Sequence, residues 1–394
     1  DRLGVEITHA RSRTEDQILQ VGTPATLGFS QQWQNAGTLS NKTWELGLNL
    51  PVITNRDLQW SMRGTWDRTR TFIDELFVPE FTFNGGTGQG TGGFFRITDS
   101  TQYRTPDGKD LTNGFEPNRY GNVWGRKFIT TCSELRSAAL QAQCGPNRAY
   151  QVNDQGYVVW VGDGNTWQEG ITKNLWGTEL PASQSPWGAP LSFGHPIVSR
   201  PLAGEPGQGS GLDHIIGNVF PDFRMTFSNT VEWKRLSLYG LLDGTFGHDI
   251  INQGEQWGLL DLSSAHFDQR GKSVETAKPT GYSWRAGQPE AGGTGGFYDV
   301  LGPNNYSTED GSFVKVRELS LSYRVGPVRG IGDWSVGLVG RNLFTFTGYS
   351  GLDPEIGSTG GSGTQNSGSG IINQTDAFGF PTLRSFTLSL TSRF

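Results

Sequence analysis

The C-terminal stretch Arg384-Ser-Phe-Thr-Leu-Ser-Leu-Thr-Ser-Arg-Phe394 alternates apolar and polar residues. Every second position from Phe386 to Leu390 is apolar, as is the terminal Phe394. The opposite face carries the hydroxyl groups of Ser385, Thr387, Ser389 and Thr391 and the charge of Arg393. A period of two predicts a β-strand, because successive side chains of a strand point to opposite faces. The stretch also has the roughly 9–11 residues that a tilted strand needs to cross a bilayer. A strand of a soluble sheet can show the same alternation. The rest of the chain is therefore needed to distinguish a membrane-spanning strand from a soluble one.

The composition limits the class of protein. The 394 residues have a mean hydropathy of −0.45, and only 34% of them are hydrophobic. No run of eighteen consecutive apolar residues occurs, which excludes a transmembrane helix. The 57 Gly, 13 Trp, 10 Tyr and 23 Phe suit strands joined by long loops, and they disfavour a helical protein. A net charge of −6 without a basic run argues against a nucleic-acid partner.

The same two-residue period recurs along the chain. Between Thr43 and Leu50 the sequence alternates Trp or Leu with polar residues, and after a turn over 51–57 a further strand follows from Leu58. The period predicts further strands at Leu3–Thr8, Phe223–Trp233, Leu236–Asp243, Phe313–Val325 and Trp334–Phe346, with weaker candidates at Gly121–Thr131 and Gly156–Gly162. A short helix is predicted within Glu255–Gln269.

Short and long connections alternate along these strands. The turns at 51–57, 234–235 and 327–332 are short, whereas the connections at 10–42, 252–311 and 348–382 are long. Bacterial outer-membrane barrels have an even number of antiparallel strands, short periplasmic turns and long external loops. The sequence therefore predicts an all-β, transmembrane antiparallel β-barrel portion of about ten strands. Trp44, Trp60, Trp66, Trp233 and Trp334 are predicted to face lipid.

Several segments resemble the C-terminal part of the SusC/RagA family of TonB-dependent outer-membrane transporters. The most specific is the segment Gly340-Arg-Asn-Leu-Phe-Thr-Phe-Thr-Gly-Tyr-Ser-Gly-Leu-Asp-Pro-Glu355, which resembles the family's "RNLF…Y.GLDPE" box. Within the segment 35–46, which resembles another strand of the family, Thr43 stands where the family usually has Gly. Four further segments resemble family strands in the same order: 35–46, 216–223, 313–323 and 381–388.

This resemblance implies a plugged barrel of 22 strands, of which residues 1–394 are expected to form the C-terminal part. It implies import of an oligosaccharide or a peptide across the outer membrane of a Gram-negative bacterium. The expected partners are outer-membrane lipids, a surface lipoprotein of the SusD type, and TonB, which is expected to act through an N-terminal plug outside this sequence. Because the chain starts at Asp1 without a signal peptide, processing or truncation is expected to have removed what precedes it.

Two cysteines indicate the compartment. Cys132 and Cys144 lie close together in a polar stretch, and a disulfide between them suits the periplasm or the cell exterior. Two free thiols are the alternative.

No catalytic motif is recognisable. The five His are scattered without metal-ligand spacing, and no nucleophile elbow, zinc-protease motif or phosphate-binding loop occurs, so an enzyme is not expected. No cofactor is expected either; Asp163-Gly-Asn165 is a weak candidate for structural Ca²⁺ and more commonly forms a turn. Tryptophans on long connections are the candidates for contacting a ligand, with loop packing as the alternative: Trp167, Trp176, Trp187, Trp257 and Trp284.

Two rival functions stay open at this point. The barrel is alternatively a passive pore or a surface anchor without energy coupling, or the chain is a soluble extracellular β-protein that binds carbohydrate. Ion conductance in planar bilayers distinguishes the pore, and extraction without detergent distinguishes the soluble protein. The sequence does not choose between glycan and peptide as substrate.

Overall fold

A computed structural model describes residues 3–22, 26, 28, 31–84, 94–105, 108–206, 213–261, 263–265, 268–278, 304–328, 332–355, 375–376 and 379–393. These residues are mainly extended, with two short helices, α1 (Ala138–Ala142) and α2 (Gln253–Leu260). The described strands are β1 (Gly4–Gly22), β2 (Gln31–Thr54), β3 (Leu58–Leu76), β4 (Phe81–Asn84), β5 (Phe94–Ile97), β6 (Asn122–Arg126), β7 (Tyr150–Val152), β8 (Val158–Trp160), β9 (Glu179–Leu180), β10 (Leu191–Ser192), β11 (Asp213–Asn218), β12 (Phe223–Trp233), β13 (Leu236–Phe246), β14 (Asp249–Asn252), β15 (Thr308–Asp310), β16 (Phe313–Val328), β17 (Gly332–Thr347), β18 (Thr375–Asp376) and β19 (Ser385–Arg393).

The largest element is an antiparallel sheet of eight strands, which we call the wall. Its spatial order is β1-β2-β3-β12-β13-β16-β17-β19, so each strand pairs with the next wall strand along the chain. This meander is the connectivity of an up-and-down barrel. No helix among the described residues has both the length and the apolar character to span a membrane.

The two faces of the wall differ in chemistry. On the apolar face, Ile7 pairs with Leu46, and Leu46 pairs in turn with Trp66. On the polar face, Glu45 lies opposite Asp67, and Asp67 lies opposite Arg224. The apolar face runs across all eight strands. On β3 its side chains are half-buried. On the other seven strands it has exposed side chains: Val5, Ile7, Trp44, Leu48, Met225, Phe227, Leu238, Leu242, Leu319, Leu321, Val336, Leu338, Phe386, Leu388 and Leu390. A soluble sheet would bury such a face.

The wall strands confirm most of the sequence prediction, but the strand count differs. The C-terminal alternation forms β19, and the all-β barrel portion predicted from the sequence is confirmed. The wall has eight described strands, whereas about ten were predicted. The two weaker candidates form β6 and β8, which belong to small separate sheets because their side chains are buried on both faces.

The connection between the first two strands is shorter than predicted. Residues 10–42 were predicted to form a long loop, but β1 and β2 continue pairing up to Gly22 and Gln31. A register shift around Gln17 allows the ladder to continue past the irregular part of the sequence, since a β-bulge accommodates an extra residue. Likewise, β2 includes Pro51 at a second register shift, so the following turn covers only residues 55–57.

Three long connections link β3 to β12, β13 to β16 and β17 to β19, and their described residues pack together at one end of the wall. We call residues 77–222, 247–312 and 348–384, as far as they are described, the loop assembly. It contains a four-stranded sheet (β11-β6-β5-β4), a three-stranded sheet (β15-β14-β18) and two small hairpins. Its hydrophobic clusters are centred on buried residues such as Ile129, Val158 and Trp187. The loops therefore have cores of their own.

Candidate ligand-binding site in the loop assembly and on the polar face

The first long connection is organised around a compact core and a disulfide. Cys132 and Cys144 are joined, with an S–S distance of 2.06 Å, at either end of a segment that contains α1. Cys144 packs against the cluster that includes Leu140 and Tyr150. Ser137 caps α1 by accepting a hydrogen bond from the backbone N–H of Leu140. These contacts fix the position of this part of the loop assembly.

The three long connections are bonded to one another. The backbone N–H of Asn218, in the first, donates to the Asp249 carboxylate in the second at 2.7 Å. In the third, Asp376 of β18 lies beside Asn252 of β14 in a parallel pair. The Tyr349 hydroxyl donates to Asp376 at 2.8 Å in a buried position. A ligand approaching this end of the wall therefore meets one joined surface.

Asp249 is a buried carboxyl at this junction. Burial raises the pKa of Asp249 to about 6, although the hydrogen bond from the Asn218 backbone N–H acts in the opposite direction. Gly217 leaves no room for a side chain, because a Cβ there would lie 2.8 Å from the Asp249 side chain. The junction thus combines a tight contact with a carboxyl whose charge is unfavourable near neutral pH.

A buried ion-pair network fixes the third connection to the polar face of the wall. Lys315 of β16 is 2% exposed, and its Nζ lies 2.6 Å from both Asp353 Oδ1 and Glu355 Oε2. The two acids belong to the Leu-Asp-Pro-Glu segment that follows β17, and the lysine belongs to the strand that begins Phe-Val-Lys-Val-Arg. Two segments that each resemble the SusC/RagA family, 313–323 and 340–355, are therefore in direct contact.

Arg317 extends this network to the neighbouring strand. Its guanidinium donates to Asp243 of β13 at 2.6 and 2.8 Å, and it also contacts both carboxylate oxygens of Glu355. Asp353 additionally accepts hydrogen bonds from the backbone N–H groups of Glu355 and Thr382, each at 3.1 Å. Every acid in the network therefore has a cationic partner, which offsets the cost of burying charge.

The pKa values of the two loop acids reflect this pairing. Burial by itself raises the pKa of Asp353 and of Glu355. Hydrogen bonds from Lys315 to both acids, and from Arg317 to Glu355, outweigh that effect, so both pKa values lie below the ordinary carboxyl range. Both groups are therefore ionised at neutral pH, and their attraction to the wall is fully present.

The first connection is anchored to the wall by a second acid. Asp222 precedes β12, and its Oδ1 lies 3.1 Å from Arg70 of β3 and 3.2 Å from Arg119 of the loop assembly. The backbone of 118–120 continues along β3, with Ile73 N–H donating to Asn118 O and Tyr120 N–H donating to Thr71 O. The loop thus occupies the place along β3 that β12 leaves free.

This junction encloses a pocket that sequence reasoning missed. The pocket has a volume of about 210 Å³, and polar-face residues of β3 and β12 line it together with residues of the loop assembly. Tyr120 and Phe220 supply an aromatic surface, with ring centroids 5.8 Å apart. Asp67, Arg119 and Arg224 add charged groups of both signs. The nearest sequence signal was the Pro221-Asp222 entry into β12, which gave no indication of a cavity.

The tryptophans predicted to contact a ligand differ in how deeply they are buried. Trp187 is 1% exposed inside a hydrophobic cluster, where its ring packs against Tyr150. This position agrees with the loop-packing alternative, and a ligand role for Trp187 stays a prediction. Trp167 and Trp176 are half-buried beside a neighbouring cluster, and Trp257 is half-buried on α2. A ligand role for these three stays a prediction, and Trp284 lies outside the described residues.

The lipid-facing tryptophans and the calcium candidate have clearer positions. Trp44 and Trp233 are exposed on the apolar face, whereas the Trp60 indole N–H donates to Asn229 on that same face at 2.7 Å.

Asn165 donates back to the Val161 carbonyl, which is the local bonding of a turn. Among the described residues no cluster of three His, Cys, Asp or Glu side chains could hold a metal ion. Calcium binding at Asp163 stays a prediction.

Comparison with known proteins gives one consistent relationship. No family model matches the chain. The TonB-dependent receptor P3 of Formosa agariphila is 25% identical over 401 residues, which cover 100% of this chain and 32% of that protein. The TonB-dependent receptor P26 of the same organism is 23% identical over 416 residues, covering 100% of this chain and 33% of the relative. The chain therefore spans about a third of the length of the curated relatives that it matches.

Solved structures agree on the fold. The structure of the RagAB peptide importer in its closed-closed state matches 99% of this chain and 33% of the compared chain, with a TM-score of 0.55 and 18% identity. A second structure, of the RagAB peptide transporter, matches equally well, with a TM-score of 0.55 and 17% identity. At these identities the likeness shows the fold alone.

Proposed function

We propose that this chain forms part of an outer-membrane importer for oligomeric nutrients, because it is similar over its whole length to TonB-dependent receptors and its motifs resemble those of the SusC/RagA family. The wall would provide barrel strands, and the loop assembly would provide the external surface that meets the nutrient. The observation that carries the proposal is the exposed apolar face, which crosses all eight wall strands.

The apolar face supports a membrane location on physical grounds. Leu388 of β19 is 75% exposed and Ile7 of β1 is 67% exposed, so the face is apolar from one edge of the wall to the other. Soluble monomers rarely expose a contiguous apolar patch of more than a few hundred Å². Lipid would cover this face, and the polar face would border the aqueous interior. We propose the outer membrane of a Gram-negative bacterium as the location, in agreement with the disulfide.

Transport by this architecture would involve binding and conformational change without covalent chemistry. The relatives carry receptor names, which agrees with a protein that is not an enzyme. A ligand would shift the protein between open and closed states by binding one of them better. By resemblance to the SusC/RagA family, a SusD-type surface lipoprotein would cover the loop assembly, and TonB would supply energy through a plug.

The pocket beside Tyr120 is the proposed contact for one unit of the nutrient. Its aromatic surface suits the face of a sugar ring or an apolar peptide side chain, and Arg119, Arg224 and Asp67 can bond to hydroxyl, carboxylate or ammonium groups. Two substrate classes follow from these groups, an oligosaccharide and a peptide. Both classes are candidates, and replacement of the pocket residue Tyr120 tests either one.

The proposal is tested with the native protein in its own membrane. Labelled oligosaccharides and labelled peptides are offered to wild-type cells, to cells lacking the gene and to cells lacking TonB. We expect uptake of one class to require both the gene and TonB, and Tyr120→Ala to weaken it. The matched control is Tyr157→Ala, which removes a half-buried tyrosine of the loop assembly that lies outside the pocket.

Two results would overturn the importer proposal. One is uptake of every compound unchanged by loss of the gene. The other is a purified protein that conducts ions in planar bilayers without an energy source, which would identify a passive pore. Recovery of the native protein in the soluble fraction without detergent would also contradict the membrane location.

A further inference from the structure

The apolar face ends in a cluster of basic residues on the loop side of β1, β2 and β3. The register places His9, Trp44 and Arg68 in one cross-strand row. The next row toward the loop assembly contains Arg11, Lys42 and Arg70. Both rows lie on the apolar face, since each of these residues is an even number of positions from Ile7, Leu46 or Trp66 on its own strand.

The second row brings like charges together. Directly opposite side chains of an antiparallel pair have Cβ atoms about 4.5–5.5 Å apart, and like charges in such pairs are destabilising. Lys42 lies between Arg11 and Arg70 in this arrangement. Arg70 is neutralised by Asp222 and Glu116 at 3.1 and 3.4 Å. Within the described part of the chain, no carboxylate lies within salt-bridge distance of Arg11, Lys42 or Arg68.

Local contacts hold these cations in place without neutralising them. The His9 ring stacks on Trp44 with centroids 4.0 Å apart, and its Nδ1–H donates to the Thr43 carbonyl at 3.0 Å. Its Nε2 accepts a hydrogen bond from Arg11 Nε at 3.1 Å, which leaves the terminal nitrogens of Arg11 for another acceptor. Lys42 Nζ lies 5.1 Å from the centre of the Phe72 ring. The Arg68 Nε is buried without a partner among the described residues.

The cluster lies at the level where a bilayer has its headgroups. On β3 the apolar face runs from Leu58 to Trp66, about the 9–11 residues that cross a hydrocarbon core, and Arg68 comes next on that face. Trp44 and Trp66 mark the boundary, as aromatic residues do at membrane interfaces. The apolar-face positions of β12, β13, β16 and β17 carry no Lys or Arg in their described parts. Arg384, just before β19, is a single cation 5.6 Å from the centre of the Phe344 ring. The cluster of basic residues therefore belongs to the sector formed by β1, β2 and β3.

We propose that Arg11, Lys42 and Arg68 form a binding site for the phosphate groups of a phosphorylated glycolipid in the leaflet on the loop side. The inference rests on the proposed membrane location. A guanidinium group can donate two parallel hydrogen bonds to two oxygens of one phosphate, and a lysine adds a mobile point charge. A phosphate bound across β1, β2 and β3 offsets the repulsion within the row. The bound lipid thereby fixes the height of this sector in the membrane.

The test uses the native protein purified in detergent, with native mass spectrometry as the measurement of bound lipid. The probes are diphosphorylated lipid A, the same lipid after enzymatic removal of its phosphates, and inorganic phosphate as a competitor. The site variant is Arg11→Gln/Lys42→Gln/Arg68→Gln. The control variant, Arg56→Gln/Arg148→Gln/Lys234→Gln, removes three exposed cations that lie away from the cluster.

We expect the wild-type and control proteins to bind the phosphorylated lipid about tenfold more tightly than the dephosphorylated lipid, because hydrogen bonds between charged groups are the stronger ones. The site variant should lose that preference while still binding acyl chains. If the site variant fails to fold, the ratio of the two lipid affinities of the wild-type protein tests the proposal.

Equal binding of the two lipids by the wild-type protein overturns the proposal. Displacement of the lipid by millimolar inorganic phosphate also overturns it, since the site would then take free phosphate. A native protein absent from the outer membrane overturns the importer proposal and this site together. A protein that is present there and indifferent to lipid phosphate overturns the site alone.

Discussion

Replacing Lys315 by methionine tests the ion-pair network that fixes the third connection to the wall. Methionine matches the aliphatic part of the lysine side chain and lacks the ammonium group, so Asp353 loses its cation and Glu355 keeps only Arg317. Removing one partner of a buried ion pair costs about 3–5 kcal/mol, because the other charge stays buried without compensation. The loss should appear as local opening of the segment from Tyr349 to Glu355, while the wall strands stay paired.

Hydrogen exchange of the purified protein in detergent measures this opening directly. The reporters are the backbone N–H groups of Ser350, Glu355 and Thr382, which donate to the carboxylates of Glu309 and Asp353. A loss of about 3 kcal/mol corresponds to roughly 100-fold faster exchange at these groups. Below about pH 4 the wild-type protein should approach the variant, since stability from acids with lowered pKa values disappears as they are protonated.

Two further variants distinguish loss of the buried network from loss of an exposed ion pair. Arg341→Gln removes an ion pair to Glu318 on the same face, and because Arg341 is 59% exposed we expect less than about fivefold faster exchange. Adding Asp353→Asn to Lys315→Met should recover part of the protection, because the uncompensated charge is gone while the backbone hydrogen bonds can remain. If Lys315→Met accelerates exchange no more than Arg341→Gln does, the network does not hold the loop.

Other perturbations address the loop assembly. Asp249→Asn should raise the melting temperature at pH 7.5 and leave it unchanged at pH 4.5: burial raises the pKa of Asp249 to about 6, so the wild-type carboxylate costs stability as the pH rises from about 4 through 6. An equal change at both pH values would contradict this. Replacing Cys132 and Cys144 by serine should destabilise the disulfide-closed segment by roughly 3 kcal/mol and expose it to trypsin at Arg136, without changing membrane insertion; an unchanged cleavage rate would argue against it. Trp187→Ala should cost about 3–5 kcal/mol and make the first connection protease-sensitive, whereas the half-buried Trp257 should tolerate alanine far better. Similar sensitivity in the two variants would show that burial does not distinguish them.

The wall could be predicted from the sequence because its signal is local. Alternation of the kind seen at Phe386–Leu390 identifies a strand and its faces without reference to any other part of the chain. The predicted number of wall strands was too high because β6 and β8 were included. An apolar run indicates an extended segment, but it does not show which sheet that segment joins. The extension of β1 to Gly22 depended on a bulge, which has no strong local signature here.

The candidate site was far less predictable, because it depends on contacts between distant segments. Nothing around Lys315 indicates that Asp353 will neutralise it, and the pocket beside Tyr120 appears only when 117–120 and 220–224 meet. Tryptophan content suggested ligand contacts, but composition does not distinguish a ring inside a cluster from one on a surface, as Trp187 shows. The basic cluster likewise required the register of three strands.

The parallel pairing of β14 with β18 has a consequence for the order of assembly. Ile251 and Thr375 are neighbours in this small sheet, yet the wall strands β16 and β17 lie between them in sequence. The pair closes a segment of the chain that includes both of these strands. Contacts between segments so far apart form late, because the entropy of closing the intervening chain must be lost first. We therefore expect β14 and β18 to join near the end of folding, so that their pairing marks a completed wall.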